Sequence, residues 1–115
     1  MLIIDVLPTT AFTANGNGPV VNTGNYNRLG PASLFIIQTA GDNFVSVDLF
    51  NSPDGINFPA TDAIGGPQTP GGVGVFEFKL DSNFPLGPYL RASYSKGAGS
   101  GGTVRMVLCM QVAHA

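Results

Sequence analysis

The sequence predicts an all-β fold: a single β-sandwich, jelly-roll or Ig-like, of about eight short, mainly antiparallel strands. Three observations carry this prediction. The run Phe44 to Phe50 alternates, with Val45, Val47 and Leu49 on one face and Ser46 and Asp48 on the other, and it leads directly into Asn51-Ser52-Pro53-Asp54-Gly55-Ile56-Asn57-Phe58. Proline presets φ and glycine supplies a positive φ, so alternation that stops at Pro-Asp-Gly marks a half-buried strand about to reverse, here as the pivot of a hairpin. Sixteen Gly and nine Pro without a Gly-X-Y period indicate many turns. No segment holds a helical period beyond one turn.

In chain order, strands are expected at Leu2 to Leu7, Thr10 to Thr13, Pro19 to Asn22, Ser33 to Thr39, Phe44 to Phe50, Val73 to Leu80, Pro88 to Ser95 and Thr103 to Val112. The last is the clearest core strand, with Val104, Met106, Leu108, Met110 and Val112 on one face. Phe76, Phe78 and Leu80 oppose Val75, Glu77 and Lys79 in the same way. Leu34-Phe35-Ile36-Ile37 is apolar on both faces, which suits a central strand or one whose outer face meets another subunit. Tyr89 and Arg91 share the face opposite Leu90, Ala92 and Tyr94 and point to solvent or to a neighbour. Asn22 to Arg28, with Tyr26 and Arg28, reads as a long connection able to make contacts. Ala14 to Gly18, Gly65 to Gly72 and Lys96 to Gly102 read as loops, the last two as mobile tips with too little side chain to pack.

The chain of 115 residues is one domain, 1–115, with 1–13 as an N-terminal arm or strand available for assembly. Charged residues make up only 10 % and hydrophobic ones 43 %, a sparsely charged surface that favours partners. A net charge of -2, with basic residues spread as Arg28, Lys79, Arg91, Lys96 and Arg105, argues against nucleic acid. No apolar run approaches the roughly 18 to 20 residues of a membrane-spanning helix, so no membrane association is expected. Met1 to Pro8 lacks a basic start and is broken by Asp5 and Pro8, so it reads as a strand rather than a secretion signal.

The acidic set is Asp5, Asp42, Asp48, Asp54, Asp62, Glu77 and Asp81, and the sequence brings no two of them together. Asp42, Asp54 and Asp81 sit at turns, where a bond to local backbone N–H groups is the ordinary role. A calcium site from Asp54, Asn57 and Asp62 matches no defensible loop spacing. The lone His114 lies near the C-terminus and the lone Cys109 has no visible base, so no catalytic residue, metal or cofactor is expected. Asn15-Gly16-Asn17-Gly18 is not followed by a helix and is no phosphate cradle. A small hydrolase would need a buried acidic pair, with Asp48 and Glu77 the ones to test.

The succession Ala14-Asn15-Gly16-Asn17-Gly18, Ser52-Pro53-Asp54-Gly55 after a strand, and Leu86-Gly87-Pro88-Tyr89-Leu90-Arg91-Ala92 resembles small β-sandwich virion accessory proteins of tailed bacteriophages. Phe58 departs from that pattern, since such proteins often carry Trp there. The resemblance implies a non-enzymatic capsid decoration, or cement, protein. It would be made in the host cytoplasm and placed on the capsid surface, binding the major capsid protein as a homo-oligomer, dimer or trimer. The interface expected on this reading uses Leu2, Ile4, Phe12, Tyr26, Arg28, Phe35, Tyr89 and Arg91. The alternative is a tail or fibre-associated module that binds host-surface glycans through exposed tyrosines such as Tyr26 and Tyr89.

Overall fold

In the computed structural model, residues 2–23, 27–41, 45–59, 64, 72–80, 88–96 and 101–113 are described. They form seven strands, β1 (Leu2–Phe12), β2 (Gly16–Asn22), β3 (Asn27–Ala40), β4 (Val45–Ser52), β5 (Gly74–Leu80), β6 (Tyr89–Lys96) and β7 (Gly102–Ala113), with no helix among them. A four-stranded sheet has the order β1-β7-β3-β5, and a three-stranded sheet the order β2-β6-β4. Every ladder is antiparallel.

The pairs are nested: β1 with β7, β2 with β6, β3 with β5, while β4 closes the series against β6. No two consecutive strands are bonded to each other, whereas an Ig-like fold would pair several of them. The winding is therefore of the jelly-roll type. The backbone N–H of Ile64 donates to the carbonyl of Leu49 at 2.7 Å, and Leu49 belongs to β4, the edge against which an eighth strand would lie. Ile64 itself is buried with the core.

Four expectations change. The two predicted N-terminal strands are one, because register shifts between Asp5 and Leu7 and between Leu7 and Thr10 carry β1 past Pro8 without ending it. Residues 1–13 are thus largely an integral sheet strand rather than a detached arm. β3 begins at Asn27, with a register shift between Leu29 and Ala32 absorbing Gly30-Pro31. β2 begins at Gly16, inside the predicted loop, where an added Cβ would lie 2.4 Å from the Tyr94 hydroxyl. Finally, Ser52-Pro53-Asp54-Gly55 does not join β4 to β5 as a hairpin, because β5 lies in the other sheet; beyond the turn, Ile64 bonds back to Leu49 of β4.

The core forms where the sheets face each other. On the central ladder Leu34 stands opposite Leu108 and Ile36 opposite Met106, all 2 % exposed or less. Val47, Leu49, Leu90 and Ala92 meet them from the smaller sheet. At one end the backbones of β1, β3 and β7 converge so closely that a Cβ on Gly102 would lie 2.1 Å from the Ala40 carbonyl oxygen. Gly101, at φ +95, would bring one to 1.9 Å from that of Phe12. The end of the predicted mobile tip is therefore a close-packed junction; residues 97–100 of it lie outside the described residues, as do 65–71 of the other tip.

Two substitutions on adjacent β3 positions should separate the faces. Ile36→Ala is expected to cost about 2–5 kcal/mol by denaturant titration, the usual penalty for truncating a buried aliphatic residue. Phe35→Ala, on the outer face, should cost markedly less.

Candidate functional site

The two outer faces of the sandwich differ in chemistry, and the difference follows from strand parity. On the smaller sheet, Asn17, Ser93 and Asp48 form one cross-strand row, and Val20, Arg91 and Phe50 the next. This face is largely polar: Ser93 Oγ donates to Asn17 Oδ1 at 2.7 Å, and Ser95 Oγ reaches the Ser46 carbonyl at 3.4 Å.

The chain after β4 folds back over this face. Ser52, 1 % exposed, donates its one hydroxyl proton to the Asn57 carbonyl at 2.7 Å and accepts from the Gly55 N–H at 2.9 Å. Asp54 Oδ1 accepts from the Ile56 and Asn57 N–H groups at 2.9 and 2.8 Å, while Oδ2 accepts from Asn57 Nδ2 at 2.6 Å. Those donors hold the Asp54 carboxyl well below the usual carboxylate range. They also commit its oxygens, so Asp54 and Asn57 serve the turn rather than an ion; Asp62 lies outside the described residues. Gly55 takes φ +77 against the Tyr89 ring, whose nearest carbon would lie 3.1 Å from an added Cβ. The Arg91 guanidinium sits over the Phe58 ring, 4.2 Å from its centroid, a cation–π stack that helps hold the loop down. Phe50 is buried in consequence, although its parity is outward.

Tyr89 and Arg91 therefore pack on the chain's own loop instead of pointing freely to solvent or a neighbour. Beside the loop lies an open groove of about 600 Å³ lined by Asn51, Ser52, Pro53, Asn57, Phe58, Pro59 and Pro88. Its walls are mainly proline and phenylalanine rings.

The outer face of the larger sheet is different. Here Val107 stands between Asp5 and Phe35, with Glu77 beyond on β5. Cys109 lies between Ile3 and Ser33, and Ile37 between Arg105 and Val75. An apolar band thus crosses all four strands, with Ile3 64 % and Val75 66 % exposed at its ends. Charge borders it: Arg105 Nε bonds Asp5 Oδ1 at 2.7 Å, which lowers the Asp5 pKa and raises that of Arg105. Ser33 Oγ donates to Glu77 Oε2, also at 2.7 Å.

The other expected interface residues fall elsewhere. Phe35 lies on the apolar band, but Phe12 is 1 % exposed and belongs to the core, and Ile4 packs against it. The two single-residue shifts between them cancel, so Ile4 and Phe12 keep the same parity and both face inward. Leu2 is placed by its backbone opposite Met110, and Arg28 opposite Val112. Tyr26 lies outside the described residues, with Asp42, Asp81 and His114. Sequence reasoning missed Ile3, Ile37 and Val75 as members of this band, which surrounds the buried Val107; the signal was present in the two-faced apolar run of β3 and in Val107 opposite it.

Asp48 and Glu77 stand on the outer faces of different sheets, so they form no acidic pair. Desolvation raises the Asp48 pKa, and its Oδ1 is buried without a hydrogen-bond partner among the described residues. Its row neighbours are Ser93 and Asn17, neither of which titrates. Among the described residues no three His, Cys, Asp or Glu side chains gather to hold a metal. No protein-family model and no curated protein matches the chain.

The two shifted carboxyls act on stability with opposite signs. Asp54 is depressed, so its contribution is fully present above the unfolded value of 3.8 and is lost as pH falls through its lower folded value. Asp54→Asn should lower Tm at pH 7, and the gap to the parent protein should narrow below pH 3.8. Asp48 is raised, so the folded state loses stability as pH climbs from 3.8 through its higher folded value. Asp48→Asn should therefore raise Tm at pH 7, the gain vanishing in acid where the parent carboxyl is protonated. Thermal melts from pH 2 to pH 8 check both signs.

Proposed function

We propose that the protein is a non-enzymatic virion accessory protein, a decoration or cement protein that docks on the major capsid protein of a tailed-phage head. The observation that carries this reading is the outward apolar band across the larger sheet, with Ile3 and Val75 exposed at its ends, Phe35 and Ile37 partly exposed, and Val107 buried among them. A rigid sheet presenting a flat apolar strip with charged margins is suited to clamping a second flat surface, and contiguous exposed apolar area is characteristic of protein contact sites. The acidic residues give support of a different kind. Asp54 is committed to a turn, Asp5 to an ion pair and Glu77 to a bond with Ser33, while Asp48 stands on the other sheet, apart from them.

The glycan-binding alternative draws less from the structure. Tyr89 rests on Gly55 and Arg91 on Phe58, and the neighbouring groove offers mostly ring surface where a sugar needs hydroxyl partners.

Heads assembled from the major capsid protein encoded in the same genome provide the test. The purified chain should co-sediment with them in a saturable manner, and Ile37→Glu, which puts a charge in the middle of the band, should weaken binding by roughly a hundredfold or more, the scale of a buried unpaired charge at an interface. A chain that never sediments with heads, or whose binding ignores Ile37→Glu, would remove the band as the docking surface.

A further inference from the structure

We propose that the open edge of β5 pairs with β5 of a second copy, antiparallel and about a two-fold axis through Phe78, joining two four-stranded sheets into one continuous sheet. The inference does not depend on where the protein docks, since it uses a strand edge and not the outer face.

Four strands lie at sheet edges, and three of them are poor templates for pairing. β1 contains Pro8 and two register shifts, and β2 contains Pro19 and one. β4 already accepts the Ile64 N–H on its outer side. β5 is different: it has no proline, and its seven residues pair with β3 in unbroken register, while no described strand flanks its other side. Such an edge presents a straight row of backbone donors and acceptors.

The side chains select the partner and the register. Antiparallel pairing centred on Phe78 sets each Glu77 opposite the Lys79 of the other copy, so two opposite-charge pairs form. Centring one residue earlier sets Glu77 against Glu77, and one residue later sets Lys79 against Lys79. The sequence Glu77-Phe78-Lys79 is thus self-complementary in one register and repulsive in its two neighbours. Glu77 accepts from Ser33 through Oε2 only, and no described cation pairs with it.

Burial points the same way. Phe76 and Phe78 face the core but are only partly buried, at the margin where the larger sheet's four described strands extend past the smaller sheet's three. Pairing about Phe78 sets the two Phe78 rings side by side and shields this open margin, the isologous arrangement expected of a symmetric dimer.

Charge reversal with rescue tests the proposal. Sedimentation velocity should show a dimer for the parent chain. Glu77→Lys and Lys79→Glu each place two like-charge pairs at the seam and should weaken dimerisation by roughly tenfold or more, while the double reversal restores opposite charges and the dimer. Both side chains are exposed, so each single variant should keep its fold, which far-UV circular dichroism checks directly. A parent chain that stays monomeric at its highest soluble concentration overturns the proposal. So does a dimer that survives both single reversals, or single variants that the double reversal does not rescue. Head binding is read separately through Ile37→Glu, so either conclusion can fail without the other.

Discussion

The structure depends on the ladder between β3 and β7, which joins residues more than half the chain apart. Nested winding gives no consecutive strands to each other, so each sheet contact must repay the entropy of bringing distant residues together. The ladder can do so because its inner face is apolar through its centre: Leu34 with Leu108 and Ile36 with Met106 place four nearly inaccessible side chains against the smaller sheet. Once β7 is seated on β3, it offers its other edge to β1, and β3 offers its other edge to β5. The smaller sheet then covers the shared face.

From that arrangement the two outer surfaces acquire different fates. The smaller sheet carries serine, asparagine and a desolvated aspartate outward, and the chain's own loop lies across part of it, held by Ser52, Asp54 and the Arg91–Phe58 stack. The larger sheet carries Phe35, Ile37 and Val107 outward on the very strands that build the core, and the described residues fold no loop over them. Apolar residues on both faces of the central strands serve two burials, one inside the sandwich and one reserved for a partner. In the proposed account the surface band meets the capsid protein while the β5 edge meets another copy.

Much of this was legible in the sequence wherever the side-chain period of a strand ran undisturbed. Val104 to Met110 and Phe76 to Leu80 declare their inner faces by simple alternation, and the two-faced run at Leu34 to Ile37 signals both a central position and an exposed apolar side. What the sequence hid lies at its irregularities. Pro8 and Gly30-Pro31 look like strand ends but are absorbed by bulges, so Phe12 belongs to the same long strand as Ile4 and faces the core with it. Gly16 looks like loop but is strand, since the Tyr94 ring occupies the space a side chain would need. Pro53-Asp54-Gly55 announced a turn correctly, yet turn chemistry is local and carries no information about which strand comes next to β4. The cover that the loop provides for Tyr89 and Arg91 was invisible for the same reason.

Cys109 provides the most direct test, because this only cysteine of the chain lies on the outer face between Ile3 and Ser33 and is partly accessible. Its alkylation rate can be followed in the unmodified protein, free and bound to purified heads. If the apolar band is the docking surface, the thiol should react in the free protein and be strongly protected on the head. Equal rates in both states, with binding established, would contradict the account.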